Sequence, residues 1–170
     1  MDSANWVDGF RTWLPFYVIA IRMTLAVCLG AVVGLEREWR SHPAGLRTHI
    51  LVSLAAATAS LLTIEIAHSP VFQDASIRVD PTRLIEAVTA GVAFLAAGMI
   101  VFLRGQVHGL TTGAGLWLAG TIGLASGLGF LQIALLAAIL ALIVLWLLRI
   151  LETKIDALSS SPKDDRDGNA

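Results

Sequence analysis

Residues 109–148, GLTTGAGLWLAGTIGLASGLGFLQIALLAAILALIVLWLL, run for 40 positions without an Asp, Glu, Lys, Arg or His. As a single α-helix this stretch would extend about 60 Å at 1.5 Å per residue, twice the ~30 Å hydrocarbon core of a bilayer, so it must fold back on itself. The reversal is placed at Gly127-Leu128-Gly129, where two glycines lower helix propensity and release the backbone. Two membrane spans follow, near 110–126 and 130–148.

Three more spans lie upstream. One covers 84–103 and is preceded by Asp80-Pro81, an N-cap followed by a first-turn proline. A second covers 46–66, with Arg47 and His49 at one end and Glu65 at the other, and a third covers 14–35 and contains Arg22. The fold class is therefore all-α, a polytopic integral membrane protein of five transmembrane helices. The composition of the 170 residues agrees: 56% are hydrophobic and 15% charged, too apolar for a soluble domain of this size. A net charge of −1 without a basic cluster excludes nucleic acid as a partner and leaves the lipid bilayer. The single cysteine, Cys28, rules out a disulfide framework or a cysteine metal cluster and is expected as a small core residue. No metal or cofactor set is evident: His108 has no nearby cysteine or carboxylate partner in sequence.

Residues 1–13 form a short external segment, 14–152 the transmembrane domain, and 153–170 a disordered cytoplasmic tail, polar and interrupted by Pro162. Asp2 and Asp8 replace the basic region of a cleavable signal, so the first span is expected to stay attached. Orientation follows from the basic residues on alternate sides of the five spans. Arg37, Arg40, Arg47, Arg104, Arg149, Lys154, Lys163 and Arg166 fall on one side, against Arg11, Arg78 and Arg83 on the other. The richer side is cytoplasmic, which puts the N-terminus out and the C-terminus in.

Three polar groups carry the functional reading. Within the bilayer, Arg22 is expected to pair with Glu65 or Glu86, because a charge at mid-membrane costs about 2.5–3.5 kcal/mol unless compensated. The alternative is that each snorkels separately to the interface. On the cytoplasmic side, Glu36, Arg37, Glu38 and Arg40, then Arg47 and His49 across a Pro43-Ala44-Gly45 hinge, offer ion pairs to a partner, an anion or a divalent cation. The same residues are also suited to a solvated hinge with topology-setting arginines. The third group, from Arg104 to Thr112, adds Thr111 and Thr112 at a helix start. Gly30 with Gly34, Gly109 with Gly113 and Gly123 with Gly127 stand four apart, the spacing for close helix packing within one chain or between copies of a homo-oligomer. Ser53, Ser60 and Ser126 have no sequence-evident histidine and acid arrangement, so no catalytic residues are assigned.

In order along the chain, Gly34-Leu35-Glu36-Arg37-Glu38, Pro43-Ala44-Gly45-Leu46-Arg47-Thr48-His49, Asp80-Pro81-Thr82-Arg83, Phe94-Leu95-Ala96-Ala97-Gly98, Gly109-Leu110-Thr111-Thr112 and Leu116-Trp117 precede a glycine-rich 123–130. These motifs resemble the membrane domain of the MgtC/SapB family of bacterial proteins, over about residues 21–152. The resemblance implies a multi-pass protein of the bacterial inner (plasma) membrane with about five spans. It also implies an external motif at Asp80 and Arg83, a packing glycine at Gly98, and a part in adaptation to low magnesium and virulence. Inhibition of the rotary ATP synthase and control of membrane potential are associated with the family as well. Longer members carry a cytoplasmic carboxyl-terminal domain with no counterpart in this sequence, so the reading is SapB-like. Ala96 stands where a glycine is usual, and Gly113 and Gly115 where alanine is more typical. No GxxxxGK[ST] loop is present, which excludes the older description of members as ATPase components. The expected function is a non-enzymatic regulator acting on a partner membrane complex such as the ATP synthase. The rival is a channel or carrier for a divalent cation such as magnesium or a small ion.

Overall fold

A helix in a bilayer satisfies its own backbone, so its side chains answer mainly to what surrounds it, lipid or protein. The computed structural model describes residues 12–40, 42–69, 80–103 and 105–159. They form α1 (Phe16–Trp39), α2 (Leu46–His68), α3 (Pro81–Gly98), β1 (Val101–Leu103), β2 (Gln106–His108), α4 (Leu110–Leu128) and α5 (Leu131–Ser159). By length and composition, three are long and apolar enough to cross a membrane: α1, α2 and residues 131–151 of α5.

Helix α4 is the centre of the bundle and packs against α1, α2, α3 and α5. Its glycines and threonines make it less apolar than a lipid-facing helix, and its environment explains why that is tolerated. Ala119, Ile122 and Leu124 are buried among its neighbours, as are Gly120, Gly123 and Ser126. Small residues let neighbouring backbones approach where lipid gives helices little hydrophobic incentive to associate. Helix α5 shows the complementary pattern: Ala134, Ala138 and Ala141 turn inward against Val33 and Ile122, while Leu135, Ile139 and Ile143 stay exposed. Alanine at i, i+4 and i+7 packs against protein, and the larger aliphatic residues face outward.

The turn between α4 and α5 falls where the glycines place it. Gly129 adopts φ +91°, a left-handed conformation that favours glycine, and Phe130 N–H closes the helix by donating to Ala125 O at 2.9 Å.

Three expectations need correction. The third span, expected to reach 103, ends as α3 at Gly98, and residues 101–103 and 106–108 pair as antiparallel strands, Val101 with His108 and Phe102 with Val107. Gly105 and Gly109 at positive φ permit that hairpin, so the apolar run Val101 to Leu103 is strand rather than helix. The tail, expected to be disordered from 153, is helical to Ser159, where α5 ends; residues 160–170 lie outside the described residues, as do residues 1–11. Cys28 is exposed on α1 rather than in the core. A helix that faces lipid carries apolar residues outside as well as inside, so apolarity does not mark the core here.

Candidate functional site

At the end of the bundle where α2 finishes and α4 turns into α5, charged side chains meet helix termini. Arg22 Nη1 donates to Gly127 O at 3.0 Å, and its guanidinium lies against Gly129. Glu65 accepts from the backbone N–H groups of Trp13 at 2.6 Å and Leu14 at 3.0 Å, just before α1. Among the described residues the expected ion pair of Arg22 with Glu65 or Glu86 is therefore absent: Arg22 serves the carbonyl end of α4, and Glu65 holds the backbone of Trp13 and Leu14 just before α1. A helix C-terminus leaves unpaired carbonyls, and a cation there satisfies both charge and hydrogen bond. Glu86 is exposed on α3 with no ion pair among the described residues. Asp80 caps α3 by accepting from Thr82 N at 2.9 Å and Thr82 Oγ1 at 2.7 Å, which holds its carboxyl below the usual carboxylate range. Arg83 is exposed nearby.

The opposite end holds the hinge between α1 and α2. Gly30 and Gly34 bring α1 onto α2: an added Cβ at Gly30 would lie 2.8 Å from Ser53 Cβ, and one at Gly34 would lie 2.8 Å from His49 Cβ. Gly123 and Gly127 bring α4 onto the same face of α2, since a Cβ at Gly123 would overlap Ser53 O and one at Gly127 would lie 2.5 Å from Ala57 O. Gly113 packs on Ala96 of α3. Gly109 instead lies outside the helix at φ +87° against Met99 O, and a Cβ at Gly98 would meet nothing within 4 Å. Glycines on α1 and α4 thus form a clamp that seats both helices on one face of α2.

That clamp buries Arg37 of α1 and His49 of α2, at 2% and 0% exposure, an unusual position for an arginine and a histidine. His49 Nδ1 donates to Gly45 O at 2.9 Å, so that in the neutral ring Nε2 carries the lone pair. Nε2 is buried with no hydrogen-bond partner among the described residues. Gly115 of α4 faces it: a Cβ there would stand 3.1 Å from His49 Nε2 and 3.8 Å from Arg37 Nε. Glycine at 115 thus leaves space between a histidine and an arginine from two other helices. Thr112, one turn earlier, is also buried, whereas Thr111 is exposed.

Around this buried pair the hinge residues divide into different tasks. Glu38 accepts from Leu46 N at 2.9 Å and so caps α2. Glu36 contacts Arg40 as an i,i+4 ion pair, and its buried Oε2 has no hydrogen-bond partner among the described residues. Arg47 is exposed, and Arg104 lies outside the described residues. Ala44 of the hinge is fully buried in a cluster with Val92 and Leu116, to which Met99 is packed, so the hinge and the root of the hairpin meet at one end. The buried serines are occupied structurally: Ser53 donates to Ala26 O, Ser60 to Ala56 O and Leu124 O, and Ser126 to Ile122 O. Sequence reading missed the part of Gly115, whose signal was a glycine where a methyl-bearing residue is more usual.

The family model described as MgtC family matches residues 23–154. Protein SapB of Bacillus subtilis is 36% identical over 135 residues, covering 76% of this chain and 57% of its own length. Protein MgtC of Salmonella typhimurium is 34% identical over 146 residues, covering 86% and 59%. YhiD of Escherichia coli K12, whose given name proposes a magnesium transporter, is 32% identical over 125 residues, covering 74% and 58%. The chain thus spans little more than half the length of these relatives. No solved structure gives a significant match.

Proposed function

Because this chain belongs to the MgtC family, we propose that it is a non-enzymatic bacterial inner-membrane regulator whose hinge end engages a partner membrane complex, the rotary ATP synthase being the leading candidate. In this reading all five helices lie in the bilayer, with the N-terminus outside and the hinge and hairpin at the cytoplasmic face. A reporter fused after Ala170 that is active only in the periplasm overturns the orientation.

The observation that carries the proposal is the burial of Arg37 and His49 beside Gly115, immediately below the hinge. Burying a histidine nitrogen without a partner costs about 1–3 kcal/mol, and an apolar residue of similar shape would remove that cost. Retaining it at the junction of α1, α2 and α4 makes helix packing responsive to whatever engages the hinge. Glu36 stands near His49 and Glu38 on the first amide of α2, with Thr111 and Thr112 at the start of α4. The test is His49→Asn, whose amide donates to Gly45 O while Nε2 is removed. The variant is expected to accumulate normally and to lose its effect on membrane potential and ATP level; unchanged effects overturn the site.

A second reading, a carrier or channel for a divalent cation, is favoured by the inward-turned Glu36 carboxylate and by the name given to YhiD. Purified protein in liposomes separates the two. Saturable magnesium flux lost in Glu36→Gln supports transport, and no flux with retained partner capture supports regulation.

A further inference from the structure

Helix α3 leans on α4 and touches α2 only lightly. Between α2 and α3 this leaves a groove of about 370 Å³, lined by Leu51, Ala55, Ala87, Val88, Gly91 and Leu95 and almost wholly apolar. Gly91 contributes to its width, since a Cβ there would meet nothing within 4 Å. Such a volume takes less than one turn of another helix, which is ~10 Å across with its side chains, but it accommodates a flexible hydrocarbon chain. An apolar groove is not a favourable site for water, so in a bilayer its natural filling is lipid.

One end of the groove is marked by charge. Arg47 precedes Leu51 by four residues on α2, so the two share a helix face and stand about 6 Å apart along its axis. Arg47 is exposed, with no ion pair or hydrogen bond among the described residues, and it lies in the first turn of a helix long and apolar enough to cross a membrane, where headgroups would meet it. A guanidinium there matches a phosphate bidentately.

We propose that the α2–α3 groove binds one acyl chain of an anionic phospholipid whose phosphate is held by Arg47. This site is separate from the Arg37 and His49 pair, and the regulator and carrier readings are both compatible with it.

The full chain, equilibrated in vesicles of equal parts phosphatidylglycerol and phosphatidylcholine and released into native mass spectrometry, tests it directly. One phosphatidylglycerol per chain is expected to remain, in preference to phosphatidylcholine. Arg47→Gln, at an exposed position, is expected to lower that preference about tenfold. Gly91→Leu is expected to abolish retention of either lipid, and Ala87→Leu, further along the groove, to weaken it, with helical content and elution unchanged. Absence of stoichiometric lipid, or wild-type retention in the groove variants, overturns the proposal. An unchanged preference in Arg47→Gln overturns the assignment of the phosphate. Cross-linked dimers of Gly91→Cys in a Cys28→Ser background, in place of retained lipid, would show that a second copy fills the groove.

Discussion

At one end of the bundle Arg22 caps the carbonyl end of α4 and Glu65 holds the backbone N–H groups just before α1, whereas Arg37 and His49, at the other, are buried side by side where three helices meet. Both ends place ionisable groups beside a bilayer. At the first, each charge answers a backbone group that needs a partner, so its presence is explained by the fold. At the second, Glu38 does the same for α2, but His49 Nε2 is left over after the helices are built. Polar atoms beyond the needs of the fold are the better guide to where the protein acts.

The sharpest way to break this contrast is to disturb the clamp that makes it. Gly123→Leu drives a side chain into Ser53 O and should cost about 3 kcal/mol or more, abolishing the folded state in detergent unfolding assays. Arg22→Ala, at the capping end, is expected to cost about 1.5 kcal/mol by losing a charged hydrogen bond to Gly127 O, without altering effects on membrane potential. His49→Asn should reverse those outcomes: stability within about 1 kcal/mol of wild type and loss of the functional effect. If Arg22→Ala rather than His49→Asn is the one that loses function, the two ends have been assigned the wrong way round.

Smaller effects sharpen the picture. Gly98→Ala meets open space and should be neutral or stabilising by up to about 1 kcal/mol, unlike the glycines of the clamp. Asp80 gives a pH dependence of known sign. Its carboxyl is held below the usual range by the hydroxyl and N–H of Thr82, so the cap contributes above the ordinary carboxylate value and fades as pH falls through the lowered one. Thermal unfolding from neutral to acid pH should show this slope in wild type and lose it in Asp80→Asn.

Much of the architecture was legible from local chemistry. The reversal at Gly127 to Gly129, the Asp80 cap and the start of α2 at Leu46 follow from residues that act on their own neighbourhood. The end of the third helix did not, because Ile100 to Leu103 is apolar enough for either a helix or a strand, and the glycines at 105 and 109 settle it through the hairpin. The candidate site was half legible. Glu36, Arg37 and His49 stood out as charges near a membrane, but their different tasks did not, since Glu38, two residues along from Glu36, caps a helix while Arg37 is buried.

Hydrophobic run lengths and glycine positions determined that this chain is a set of apolar helices with a hinge of alternating charge, because helix length and turn chemistry depend on neighbours in sequence. Tertiary structure alone decided which charges cap helices and which are buried, and that Gly115 faces both His49 and Arg37. Those outcomes depend on how α1, α2 and α4 rotate against one another, and the spacing of residues along one helix does not set its rotation against the next.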